Sequence, residues 1–145
     1  MGLFSIFGSN KDTQLLQEMR CYLDQFMVKY ATENPDDMEN VAGVFANARM
    51  MINAMSAKDV KRGMKQNGVN AECGVLNIIQ NYAMSEIESL STKDLLFGGE
   101  EDNGAFDLYM FVNGLKLNRG YISEEQYDDN KRLGTCLRLG QRPLI

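Results

Sequence analysis

Apolar residues recur at every third or fourth position along most of this chain. From Asp12 onward, Leu15, Leu16, Met19, Leu23, Phe26, Met27 and Tyr30 fall on one stripe about 100° wide, which predicts an amphipathic helix that packs one face against a core. A second stripe runs through Met38, Val41, Ala42, Phe45, Ala48, Met51 or Ile52, and Met55. Val75, Leu76, Ile79, Tyr82, Ala83, Ile87 and Leu90 form another, and Phe106, Tyr109, Met110, Val112 and Asn113 a fourth. The period-two alternation of a half-buried strand is nowhere sustained, and the run LYMFV is too short to decide between helix and strand.

Capping chemistry sets the expected boundaries. Asn34-Pro35 reads as an N-cap followed by proline at the first helical position, with Asp36 and Asp37 suited to the positive end of the helix dipole. Three strings, MSAKDV, LSTKDL and ISEEQY, share one grammar: an apolar residue, a serine cap, an acid or amide at the third helical position and an apolar residue at the fourth. They place helix starts at Ser56, Ser91 and Ser123, each cap worth about 1 kcal/mol against alanine. Asn67-Gly68 ends a short helix and Asn70 caps the next, while Gly63 and Gly74 either weaken their helices or mark a close crossing. FGGEEDNG, from Phe97 to Gly104, reads as a loop; a later helix ends near Gly120, the last runs to about Leu137, and LGQRPLI trails over the surface. The expectation is one all-α domain over 1–145, a compact bundle-like arrangement of five to seven helices, not a regular coiled coil, with loose ends at 1–11 and 138–145.

At 145 residues the chain is long enough for an ordinary core without disulfides or a structural metal, and 44% hydrophobic with 24% charged residues is a globular composition. Cys21, Cys73 and Cys136 match no metal spacing and cannot all pair; Cys21 and Cys73, inside helical patterns, are expected to be small buried residues, and a reducing cytoplasm is the implied location. MGLFSIFGSNK has neither a basic leader nor a cleavage site, so it reads as no signal peptide, and its Leu3, Phe4, Ile6 and Phe7 are expected to dock on the protein's own core. No stretch is apolar for long enough to cross a membrane as a helix.

The chain has no histidine, which excludes Ser-His-Asp and Cys-His catalysis and HExxH metal sites. An EF-hand register on Gly120 puts Leu115, Leu117 and Arg119 where calcium needs oxygen ligands, and the glycines form no nucleotide-binding loop. No cofactor is therefore expected, and no enzyme activity; a carboxylate and magnesium site would need Asp107 to meet the Glu124 face. Ten methionines, among them Met50, Met51, Met55 and Met64, offer an adaptable groove for a peptide, the reading of the chain as a helical adaptor, although core filling is their commoner use.

Charge is distributed unevenly. With 15 Lys and Arg against 20 Asp and Glu, the molecule is poorly matched to a phosphate backbone, so direct nucleic-acid binding is not expected. Within GYISEEQYDDN, Glu124 and Asp128, and likewise Glu125 and Asp129, are four apart and line up along one helix side. Together with Glu100, Glu101, Asp102 and Asp107 they make eight acids over residues 100 to 129, against only Lys116 and Arg119. Two readings follow. In one, basic residues downstream satisfy the acids internally, Arg132 at i,i+4 from Asp128 among them; in the other, the face is exposed and docks a basic protein, with Tyr121 or Tyr127 as aromatic anchor.

With one domain, no catalytic kit and the acidic segment Glu100 to Asp129, the chain resembles the small acidic helical immunity proteins of bacterial polymorphic or contact-dependent toxin systems. The likeness is one of type, without a signature motif, and transfers no family residue. It implies cytoplasmic, one-to-one neutralisation of a cognate toxin, often a basic nuclease.

Overall fold

The first stripe forms α1 (Asn10–Glu33) in a computed structural model that describes the backbone of residues 10–97 and 104–139 and the side chains of residues 13–89 and 104–139. Leu16, Met19, Leu23, Phe26 and Tyr30 of that stripe are buried, and Leu15 and Met27 pack half-buried beside them. A 3₁₀ turn, Pro35–Asp37, leads into α2 (Met38–Ala54), α3 (Ala57–Asn67), α4 (Ala71–Phe97), α5 (Gly104–Asn118) and α6 (Glu124–Arg138). Among the described residues there is no strand: the chain is all-α, and LYMFV lies within α5.

Helix α4 is the axis of the bundle, packed against α1, α2, α5 and α6. Its buried positions Val75, Leu76, Ile78, Ile79, Gln80, Ala83 and Ile87 sweep roughly 200° of arc at 100° per residue, twice the width of a surface helix's stripe. Helices α1 and α2 run antiparallel on one side, tied at the rim where Arg20 Nε donates to Asn53 Oδ1 at 2.8 Å and Arg49 Nη2 to Asp24 Oδ1 at 2.7 Å. These exposed contacts fix orientation more than they stabilise. Beneath them Phe111 of α5 presents its edge to Tyr30 at 5.1 Å and to Phe26 at 5.6 Å between ring centroids, with Phe45 of α2 closing the cluster.

Most expected boundaries are made as the side chains dictate. Ser56 Oγ accepts from the Asp59 amide at 3.4 Å, Gly68 closes α3 at φ 66°, and Asn70 Oδ1 accepts from the Cys73 amide at 2.8 Å. At α6 the capping box is complete: Ser123 Oγ accepts from the Gln126 amide at 3.1 Å and Gln126 Oε1 from the Ser123 amide at 2.8 Å. Asn34, however, makes no side-chain cap bond; Pro35 opens a 3₁₀ turn in which the Tyr30 hydroxyl donates to the Asp37 carboxylate, and the α-helix starts only at Met38. Ser91 starts no helix, because α4 runs through it to Phe97. The expected loop is narrower than FGGEEDNG, since Phe97 ends α4 and Gly104 opens α5. Leu3 to Phe7 and LGQRPLI beyond Leu139 lie outside the described residues, whereas Asn10 and Lys11, assigned to a loose end, are helical.

One glycine sets a helix distance. A Cβ on Gly134 would stand 2.6 Å from Tyr109 Cε2, so α6 reaches α5 only because this residue has no side chain. Among the described residues no helix is long and apolar enough to cross a membrane.

Candidate functional site

Helix α6 rests on a narrow stripe: Gly134 and Leu137 are buried, and Tyr127, Asn130 and Leu133 half-buried. Cys136 is half-buried too, and the remaining side chains of the helix face outward. Glu124, Glu125 and Asp128 are exposed and form no ion pair among the described residues, while Asp129 meets Arg132 at 3.2 Å in an exposed i,i+3 pair. The internal partner expected for Asp128 is therefore given to Asp129, which leaves three uncompensated carboxylates on the first turns of α6. The capping box lets two of them sit beside the positive helix end, where the dipole offsets part of their mutual repulsion.

Neither cation of the segment turns toward these acids. Lys116 is buried at 7% exposure, and its Nζ donates to Gln80 Oε1 of α4 at 2.8 Å. Burial lowers its pKa, and no carboxylate is among its hydrogen-bond partners. Arg119 instead donates through Nε to both oxygens of Glu72 at 3.3 and 3.4 Å. Tyr121, expected as an anchor for a partner, also turns inward: its hydroxyl donates to Glu72 and accepts from Asn70 Nδ2 at 3.2 Å. Desolvation and then the bond to Glu72 raise its phenol pKa. Tyr127 is half-buried, with its backbone carbonyl accepting from Asn113 Nδ2 at 3.0 Å.

Behind α6 the interior is polar. Asn113, fully buried, donates to the Tyr127 carbonyl and accepts from Asn130 Nδ2 at 3.0 Å; one turn away Tyr109 Oη donates to the Asn130 carbonyl at 2.7 Å. With Lys116 and Gln80 these groups form a seam between α4, α5 and α6 that sequence reasoning missed. Its signal was nonetheless present, since Asn113 and Lys116 continue the spacing of Ala105, Leu108, Tyr109 and Val112 on the buried face of α5. Gln80 Nε2 is buried in the seam without a partner among the described residues.

The antiparallel pairing of α5 and α6 separates Asp107 from Glu124. Tyr109 meets Gly134 and Arg138 lies over the Phe106 ring at 4.9 Å, so Asp107 stands at the far end of α6, about 20 Å from Glu124 at 1.5 Å per residue. The carboxylate pair that a magnesium site required is not brought together, and no cluster of three potential metal ligands occurs among the described residues. Glu100, Glu101 and Asp102 lie outside the described residues.

The methionines divide. Met19 is core, whereas Met50 is 68% exposed and Met51 41%. These two line a shallow groove with Met55 and Tyr82, and Met55 joins it to a second hollow over Val60, Met64 and Ile78. Cys73 is half-buried, and burial raises its thiol pKa; Cys21, expected inside, is exposed on the face of α1 opposite the core stripe. Compared with known proteins, the chain matches no family model, no curated protein and no solved structure.

Proposed function

We propose that this protein is a protein-binding module that captures a basic partner on the outer face of α6, in the manner of an immunity protein that neutralises a cationic toxin domain such as a nuclease. One observation carries this reading: Glu124, Glu125 and Asp128 are exposed without ion pairs among the described residues, while Lys116 and Arg119 are engaged elsewhere. Such a face raises the encounter rate with a cation and selects against anionic partners, and its contribution falls with salt. The experiment is affinity capture from the native cell with the wild type and with the triple variant Glu124→Lys, Glu125→Lys, Asp128→Lys, at low and high salt. A basic protein retained by the wild type and lost by the variant, with helicity unchanged, supports the reading; equal capture by both overturns it.

A second reading, a helical adaptor that takes a peptide in the methionine-lined groove, is favoured by the exposure of Met50 and Met51 beside Met55 and Tyr82. It predicts the opposite pattern: capture survives the triple reversal and is lost in Met50→Glu, Met51→Glu.

A further inference from the structure

Between α1 and α5 lies a cleft unconnected with the carboxylates of α6. Its deep end, about 110 Å³, is walled by Phe26, Val75, Leu76 and Leu115, and it shares Lys29, Leu115 and Arg119 with a wider groove running along Phe111 and Gly114. Glu72 also lines the deep end and Glu33 the groove, so a trough of mixed polar and apolar lining carries two cationic side chains where its two parts meet.

The cations are incompletely matched by the protein's own acids. Among the described residues Lys29 meets only Glu33, at 3.5 Å, an exposed i,i+4 pair of the kind that contributes little. Arg119 uses its Nε on Glu72, whose carboxylate also accepts the Tyr121 hydroxyl. A guanidinium has five N–H donors, and the four on Nη1 and Nη2 of Arg119 have no acceptor among the described residues. That outer edge has the fork geometry that binds a carboxylate through two parallel hydrogen bonds. The deep end is comparable with the ~150 Å³ cavity that admits benzene, and here the space continues into the groove rather than closing.

We propose that this cleft binds a small monocarboxylate with an apolar, ring-bearing body, the carboxylate on the free edge of Arg119 with Lys29 beside it and the ring between Phe26 and Leu115. Apolar burial supplies the affinity, and the two cations discriminate the acid from its neutral or cationic isosteres.

The test titrates the full chain with 4-phenylbutyrate, 4-phenylbutanol and 4-phenylbutylamine while following backbone amide shifts. The acid should saturate with a Kd on the order of 1 mM or tighter, moving amides near residues 25–29 and 114–119, and the alcohol and amine should bind about tenfold more weakly. Arg119→Gln should reduce the acid's advantage to about twofold or less. Absence of saturable binding, equal affinity for acid and alcohol, or an undiminished preference for the acid in Arg119→Gln would each overturn the proposal.

Discussion

Beside its contact with α4, helix α5 has two interfaces built by different rules. Toward α1 and α2 it offers Phe111 to the rings of Phe26, Tyr30 and Phe45, an apolar contact whose partners need only shape and area. Toward α6 it offers Tyr109, Asn113 and, beside α4, Lys116, each aimed at a particular acceptor or donor. The first interface contributes stability. The second contributes register: Asn113 satisfies Tyr127 and Asn130 together only when α6 sits in one position along α5. The acidic helix is thus held by specific bonds rather than a large apolar footprint, and its carboxylates are presented in a fixed arrangement.

The sharpest way to break this contrast is Phe26→Ala, which removes a ring from the apolar side and should cost about 3–5 kcal/mol in denaturant unfolding. On the polar side, Asn113→Leu removes the side-chain donor to the Tyr127 carbonyl and leaves the Asn130 side-chain amide without its partner, and should cost about 1–3 kcal/mol, with loss of α6 order in amide spectra.

The pH dependence separates two members of the polar side. Burial pushes the Tyr109 phenol from its ordinary 10.0 to about 12, so between these values the native state holds more protons than the unfolded state. Its contribution is complete below pH 10 and is lost as pH rises toward 12; Tyr109→Phe should remove that loss, about 1–3 kcal/mol, while costing about 1 kcal/mol at neutral pH for the bond to Asn130. Lys116 has the opposite sign. Its pKa lies below the ordinary 10.5 in the fold, so the unfolded state binds more protons in that window and stability rises as pH climbs through it.

Replacing the Lys116 and Gln80 pair together, by Lys116→Met and Gln80→Leu, removes a buried cation and an orphan amide at once. The double variant should unfold at the wild-type temperature or above it. A clear drop in Tm would mean the pair stabilises the fold. The smallest effect belongs to the outer face of α6: Glu125→Lys with Asp128→Lys should change stability by less than about 0.5 kcal/mol, since both side chains are exposed.

The helices were legible where apolar spacing and caps agreed. The Ser123 box meets that condition, and the stripe from Leu16 to Tyr30 was strong enough without a cap; each is present as expected. Ser56 and Ser91 carry the same capping pattern and behave differently. A serine cap supplies one side-chain bond, whereas interrupting a helix forfeits several backbone bonds, so the string marks where a helix can start but cannot force a break in α4. Cys21 was misplaced because residue type outweighed position: it lies across α1 from Met19 and Leu23. Lys116 erred in the other direction, its charge concealing a place on the buried stripe of α5. Of the acidic site, the exposure of Glu124, Glu125 and Asp128 follows from the apolar spacing of α6, but the inward turn of Tyr121 depends on Glu72, 49 residues earlier, which no local pattern reveals.

The central position of α4 has a kinetic counterpart. Enclosed by four neighbours, its amides between Val75 and Ile87 should exchange with solvent deuterium only through global unfolding, while α6, anchored by Gly134 and Leu137, opens by a separate and cheaper excursion. A ligand seated on the outer face of α6 would close that excursion, and slowed exchange along Glu124 to Arg138 would then report its occupancy.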